Sequence, residues 1–205
     1  MAIPRKNKLT VKKGRVGKTQ NWRSTPGAEV LAGTDVVFER RRPGKGYRHV
    51  LNKTDIERFI ALLPDWEEVS HGLEAIVLLP GRDDVEGVYV SPWVGIYAWS
   101  RALWWLYDAS HFENPRESIT RLGVPFEPLD GGFVAKWTDE TVRAYQLLDV
   151  LVHELGHHHD RMSTRGKLRS ARGERYAEEY ARRYSDHIWE AYCIEFDLVI
   201  PPTSA

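Results

Sequence analysis

Along this chain, short runs of apolar residues alternate with longer stretches in which apolar residues recur at helical spacing. The short runs are bounded by glycine, proline or charged residues, which is typical of strands. The run at 73–79 is nearly continuous in apolar residues, so we expect a strand buried on both faces. The five predicted strands cover residues 36–38, 73–79, 88–90, 94–99 and 133–137.

Two helices are predicted before the last third of the chain. The first is capped by Asn52 or Thr54, runs through apolar residues spaced three and four apart, and is stopped by Pro64. The second begins near Asn114 and continues to Leu122.

Two longer helices are predicted towards the C-terminal end. One begins at Thr138 or Asp139 and runs to about His159, with apolar residues nearly all round it, which is typical of a buried helix. The other extends from about Glu174 to Cys193. The fold class expected is α+β, with a small twisted, mostly antiparallel sheet packed on the buried helix and the last helix closing the chain.

A length of 205 residues suits one domain with a tail. We expect a flexible basic arm over residues 1–30 and a folded domain over 31–205. The sequence has no apolar run of about 18 residues, so no membrane span is predicted, and its basic start lacks the apolar stretch of a secretory signal. The single Cys193 excludes an internal disulfide, and a reducing, cytoplasmic setting is the expectation.

The net charge of zero conceals an uneven distribution. Residues 1–53 contain fourteen Lys or Arg and three acids, about +11, so the remainder carries about −11. Such an arm is either a solvated leader or a segment that binds nucleic acid. The second alternative follows because clustered cations bind phosphates without sequence specificity. The candidate contacts are Lys6, Lys8, Lys12, Lys13, Arg15 and Lys18.

The candidate chemistry lies within the predicted buried helix, where the sequence HELGH spans residues 153–157. Residues four apart on a helix differ by about 40° in direction, so His153 and His157 point towards a common centre. Two neutral imidazoles at this spacing suit Zn²⁺, and Glu154 beside them can act as general base towards a metal-bound water. We therefore predict a catalytic zinc site.

A catalytic zinc site needs a third protein ligand, and the following helix offers one. Glu174 and Glu178 lie on one face of that helix together with small residues, which would allow it to approach the first helix closely. From this geometry, either glutamate is a candidate for the third ligand. Asp160 shares the face of the two histidines and is expected either to orient an imidazole or, less favourably, to replace Glu174.

The HExxH sequence followed by Glu174-x-x-Ala177-Glu178 resembles the zincin metallopeptidases of the gluzincin type. It is similar to the patterns of phage-immunity-repressor peptidases and Ste24-like integral-membrane peptidases. The resemblance covers residues 139–192 and implies Glu174 as third zinc ligand. It also implies a sheet whose edge strand aligns an extended peptide over the metal.

The function expected is that of a zinc-dependent peptidase acting on an intracellular protein or peptide, with Glu154 as general base. The alternative is a metal-stabilised regulatory or nucleic-acid-binding protein of the same fold without proteolysis. In that case the basic arm, rather than Glu154, would contribute the activity.

Overall fold

The structure is a computed structural model, and it describes residues 9–12, 15–18, 22, 26–83, 85–109, 113–164 and 172–199. The strands in this part of the chain are β1 (Leu9–Lys12), β2 (Arg15–Lys18), β3 (Glu29–Val30), β4 (Val37–Arg40), β5 (Tyr47–Arg48), β6 (Ala75–Leu79), β7 (Gly87–Val90), β8 (Trp93–Tyr97), β9 (Trp99–Ser100), β10 (Trp104–Asp108), β11 (Phe126–Leu129) and β12 (Gly132–Lys136). The helices are α1 (Lys53–Ile60), α2 (Trp66–Val69), α3 (Glu113–Arg121), α4 (Asp139–Tyr145), α5 (Val152–Ser163) and α6 (Gly173–Glu195). A π-helical turn (Gln146–Leu151) joins α4 to α5.

The fold is α+β, and its largest sheet has five strands in the order β3-β4-β6-β8-β7. The two outer pairings are antiparallel, whereas β6 pairs in parallel with both β4 and β8. The prediction of a mostly antiparallel sheet is therefore wrong for the central strands, which are parallel. The physical reason is visible in β6, whose five residues are all buried, because a central parallel strand is covered on both faces.

The five-stranded sheet separates two apolar clusters. On one face, Ile76 and Ile96 pack in the main core with the helices. On the other face, Val77 belongs to a smaller cluster that includes Trp22, which is 3% exposed and whose ring centroid lies 5.7 Å from that of Trp93. Trp22 falls within the predicted arm 1–30, so at least this residue of the arm packs on the sheet. The boundary at residue 30 stays a prediction, and the side chains of the six basic arm residues lie outside the described residues.

The predicted helix from Thr138 to His159 is present, but the π-helical turn divides it. Thr138 is its N-cap, with its side chain accepting a hydrogen bond from the backbone N–H of Thr141. The carbonyl of Leu148, in the π-helical turn, accepts a hydrogen bond from the Ser185 hydroxyl on α6. A π-helical turn inserts extra residues into the helical repeat, and partners from another helix satisfy the carbonyl that it displaces.

The close contact between α5 and α6 is made at Gly156. A Cβ atom at Gly156 would lie 3.0 Å from the Cα of Ala177, so only glycine fits there without displacing α6. The predicted close approach of the two helices is thus present, with Gly156 and Ala177 at the contact. This approach brings the first turn of α6 beside the face of α5 that carries the two histidines.

The remaining strands form smaller sheets at the side of the fold. Strands β10, β12 and β11 make a three-stranded antiparallel sheet, and β5 pairs with β9. Of these, only β12 was predicted from the sequence; Trp99 was assigned to the end of the preceding strand. No helix in the described part of the chain is long and apolar enough to cross a membrane.

Candidate metal centre

Two imidazoles and one carboxylate converge at the junction of α5 and α6. The Nε2 atoms of His153 and His157 are 3.1 Å apart. An Oε2 atom of Glu174 lies 3.2 Å from Nε2 of His153 and 3.4 Å from Nε2 of His157. Among the described residues, this triad is the group of His, Cys, Asp and Glu side chains placed to hold a metal ion.

The triangle of donor atoms fits a small tetrahedral cation. Zinc–nitrogen and zinc–oxygen bonds of about 2.0–2.1 Å place tetrahedral ligands about 3.3 Å apart, and the three observed separations are 3.1, 3.2 and 3.4 Å. Two imidazoles and one carboxylate are also the donor set of several catalytic zinc sites. The three side chains therefore suit Zn²⁺, and their role as ligands stays a prediction.

The triad is open towards solvent on one side. The side chain of Glu174 is 75% exposed, whereas those of His153 and His157 are 26% and 13% exposed. Burial is the main cause that lowers the pKa of His153, followed by the neighbouring His157. Both effects favour the neutral imidazole, which is the form that binds metals.

Glu154 lies beside the triad in a more enclosed position. The Glu154 residue is only 7% exposed. Burial, with a smaller contribution from the Glu174 charge, raises the pKa of Glu154 to about 8. A carboxyl in such surroundings is a stronger base than an exposed one, which is the property required for general base catalysis near neutral pH.

Strand β7 packs directly on Glu154, a contact that was not predicted from the sequence. A Cβ atom at Gly87 would lie 2.6 Å from Oε1 of Glu154 and 2.7 Å from a methyl group of Val150. An isolated glycine in a strand often marks such a close approach, so the sequence did contain a signal. Strand β7 is the edge of the five-stranded sheet, and the Gly87 contact places this edge beside the candidate site.

Asp160 does not touch the imidazoles. It is completely buried, and its Oδ2 accepts hydrogen bonds from the backbone N–H groups of Arg172 at 2.9 Å and Gly173 at 3.3 Å. Its Oδ1 accepts from Nε of Arg172 at 2.8 Å and from the Thr164 hydroxyl at 3.2 Å. Asp160 thus holds the residues that precede Glu174 instead of orienting a histidine, because its short side chain points along the helix towards the start of α6.

Glu178 is exposed on α6 and is not part of the triad. It follows Glu174 by one helical turn, so it lies further along the helix axis, by about 6 Å. It borders the same cavity as His153 and Glu154. Its position is therefore close to the site, but the donor triangle is made with Glu174.

The two histidines that follow the motif are hydrogen-bonded away from the triad. Nε2 of His158 lies 3.0 Å from the carbonyl oxygen of His71, and its Nδ1 lies 3.3 Å from the Tyr89 hydroxyl on β7. The carbonyl contact requires Nε2 to donate, so Nδ1 accepts. Nδ1 of His159 lies 2.7 Å from the hydroxyl of Tyr176. These two residues attach α5 to its neighbours.

A cavity of about 850 Å³ opens beside the triad. His153 and Glu154 border it, and it extends along the π-helical turn between α3 and α6. Its size is within the range of ligand sites in proteins, which is about 300–1,000 Å³.

Comparison with known proteins adds no relative, since no protein-family model, curated protein or solved structure matches this chain.

Proposed function

We propose that this chain is a metal-dependent peptidase in which His153, His157 and Glu174 hold a zinc ion and Glu154 is the general base. The observation that carries the proposal is the convergence of three donor atoms within 3.1–3.4 Å of one another, next to a buried carboxylate. A structural metal site would be closed by protein ligands. Here three ligands leave a position free, on the side where Glu174 meets solvent.

Each side chain of the site has a separate task in the proposed reaction. When bound, zinc would supply a Lewis acid that polarises the carbonyl under attack. Glu154 accepts a proton from the attacking water and donates it to the leaving amine, which is the usual exchange of a general base and acid. Because Gly87 covers one side of Glu154, the carboxylate is held in place and screened from bulk water.

The position of strand β7 is the argument for a peptide as the substrate. It is an edge strand, so one row of its backbone N–H and C=O groups has no partner strand in the five-stranded sheet. An extended peptide can add to such an edge by main-chain hydrogen bonds. A peptide aligned on β7 would pass Glu154, since Gly87 of this strand contacts that carboxylate.

Metal content is the first experiment that tests the proposal. The purified chain, loaded with zinc and dialysed, is expected to retain one zinc per chain, and His153→Ala to retain none. The loaded wild-type chain is then incubated with an unbiased peptide mixture beside Glu154→Gln, and mass spectrometry identifies new peptide ends. New ends produced by the wild type and lost in Glu154→Gln support the proposal. Absence of metal binding, or cleavage that persists in Glu154→Gln, would contradict it.

The nucleic-acid alternative remains a proposal from the charge of residues 1–30. It expects a salt-dependent mobility shift of DNA or RNA that is lost when residues 1–27 are deleted and is unaffected by Glu154→Gln. The two activities are separable by these variants.

A further inference from the structure

The cavity beside the triad contains two deep carboxylates that the proposed reaction does not use. Glu86 precedes strand β7, and Asp149 lies in the π-helical turn, one helical turn before His153. Both line the cavity. Each is enclosed by the fold but retains part of its surface, because that part faces the cavity.

Hydroxyl groups hold both carboxylates in place. The Tyr145 hydroxyl donates to Oε2 of Glu86 at 2.7 Å, and the Ser118 hydroxyl donates to Oδ1 of Asp149. These donors fix the orientation of the two acids without neutralising them. A carboxylate in enclosed surroundings is costly to ionise unless a cation or several donors accompany it.

No cation of the described residues forms a salt bridge with either acid. Arg121 borders the cavity, but its Nη1 lies 2.6 Å from Oδ1 of Asp186 and its guanidinium stacks 3.9 Å from the centre of the Trp189 ring. Arg175, at the outer edge with its side chain 87% exposed, is bound to Glu179. Three arginines thus border the cavity: Arg121 and Arg175 are engaged with other acids, and Arg182 is exposed. Glu86 and Asp149 form no salt bridge with any of them.

Part of the cavity wall is apolar. The apolar side chains of Leu122, Leu148 and Val150 are among those that line it. A ligand group that suits this wall has a hydrocarbon stem followed by a positive charge. Lysine and arginine side chains have this construction, with apolar methylene groups and a terminal cation.

The distance from the site also favours a long side chain. Asp149 precedes His153 by four residues, about 6 Å along a helix axis. A side chain attached to a backbone that passes the triad must span about this length to reach Asp149.

We infer that the cavity receives the side chain of a lysine or arginine next to the peptide bond at the triad, with Asp149 and Glu86 binding its positive charge. The position of that residue beside the bond that is cut rests on the proposed function. The preference of the cavity for a long cation over its neutral isostere does not rest on the proposed function.

The inference is tested by binding, so that hydrolysis is not required. The full chain, loaded with zinc, is titrated with N-acetyl-arginine-N-methylamide and with the corresponding citrulline compound, which has nearly the same shape and no charge. Binding is followed by NMR through the indole resonance of Trp189, which lines the cavity. The arginine compound is expected to bind at least tenfold more tightly than the citrulline compound.

Variants assign the preference to the two acids. In Asp149→Asn combined with Glu86→Gln, the ratio of the two affinities is expected to fall below threefold, and in the exposed control Glu190→Gln it stays as in the wild type. Equal affinities in the wild type overturn the inference even if the double variant does not fold, and so does a preference that persists in the folded double variant. If the preference is found but no peptide is ever cut, the proposed function fails and the cavity's preference for cations stands.

Discussion

Gly87 on the edge strand and Glu154 on the central helix are packed so closely that a Cβ atom on Gly87 would lie 2.6 Å from the Glu154 carboxylate. The two residues are far apart in sequence, and their contact joins the sheet edge to the base of the proposed reaction. The absence of a side chain at residue 87 is therefore a requirement of the site.

Replacing Gly87 by valine is expected to displace Glu154 while leaving the metal ligands in place. The added carbons overpack the contact, which costs about 1–3 kcal/mol of folding free energy. A shift of a catalytic group by about 1 Å reduces turnover roughly 100-fold. Peptide cleavage and zinc content are measured together, with Val88→Ala on the same strand as control. A variant with undiminished cleavage would show that this contact does not position Glu154.

The choice between the two glutamates of α6 is decided by metal affinity. Because Glu174 completes the donor triangle, Glu174→Ala is expected to weaken zinc binding by more than about 100-fold. Glu178→Ala, one turn later on the same helix, is expected to change it by less than about tenfold. Competition with a chromogenic chelator gives both affinities. The reverse order of effects would identify Glu178 as the ligand.

Removing the charge of Asp160 is expected to weaken the metal site although Asp160 does not touch the imidazoles. Asp160 holds the backbone of Arg172 and Gly173, directly before Glu174. We therefore expect Asp160→Asn to reduce zinc affinity about 10–100-fold and the free energy of unfolding of the metal-free chain by about 1–3 kcal/mol. Thr138→Ala, which removes a distant helix cap, is the control for a loss of stability alone. Equal zinc affinity in Asp160→Asn and wild type would contradict this role.

The same substitution has a pH signature. Burial by itself raises the pKa of Asp160, but the hydrogen bonds from Arg172, Gly173 and Thr164 outweigh it, so the pKa is lowered overall. A lowered pKa means that Asp160 stabilises the fold above the unfolded value near 3.9, and that this contribution is lost as the pH falls below it. Urea unfolding with a chelator, from pH 6 to pH 3, is expected to show less acid sensitivity in Asp160→Asn.

His158 is expected to matter for stability and not for metal content. Its ring is buried and links α5 to the His71 carbonyl and the Tyr89 hydroxyl. His158→Ala leaves a cavity and an unsatisfied carbonyl, at a cost of about 2–4 kcal/mol. Zinc per chain should remain one in His158→Ala and fall to none in His157→Ala. Loss of zinc from a folded His158→Ala protein would show that the ligand set is misassigned.

Glu86 makes the stability of the chain decrease as the pH rises. Burial raises the pKa of Glu86 to about 7, with the Tyr145 hydrogen bond opposing and the Asp149 charge adding to the increase. A raised pKa means that the stabilisation is complete below the unfolded value near 4.3 and is lost as the pH rises through about 7. Glu86→Gln is expected to be more stable than the wild type at pH 8 by on the order of 1–3 kcal/mol, and equal to it near pH 4.

Urea unfolding of the metal-free protein at the two pH values measures this difference. The control is Ile188→Val, which shortens a buried apolar side chain of α6 and should lower the stability equally at both pH values. A difference between Glu86→Gln and wild type that is the same at both pH values would mean that Glu86 does not titrate in the folded state.

Local parts of the fold and site could be predicted because they depend on residues close in sequence. Asn52 caps α1 through Asp55, three residues away, and the uninterrupted apolar run of β6 predicts its burial on both faces. The convergence of His153 and His157 likewise follows from one helical turn. Periods of 3.6 and 2 residues, together with capping chemistry, are properties that a sequence displays directly.

The remaining features depend on which distant segments pack together. The sequence showed an acid at residue 160 on the histidine face, but only tertiary structure decided that it binds Arg172 and Gly173. It showed an isolated glycine at residue 87, but not that Glu154 fills the space beside it. The sequence by itself determined which residues could form a metal site. Packing decided which of them meet, because a contact between distant residues is selected by the free energy of the whole core, which no local period encodes.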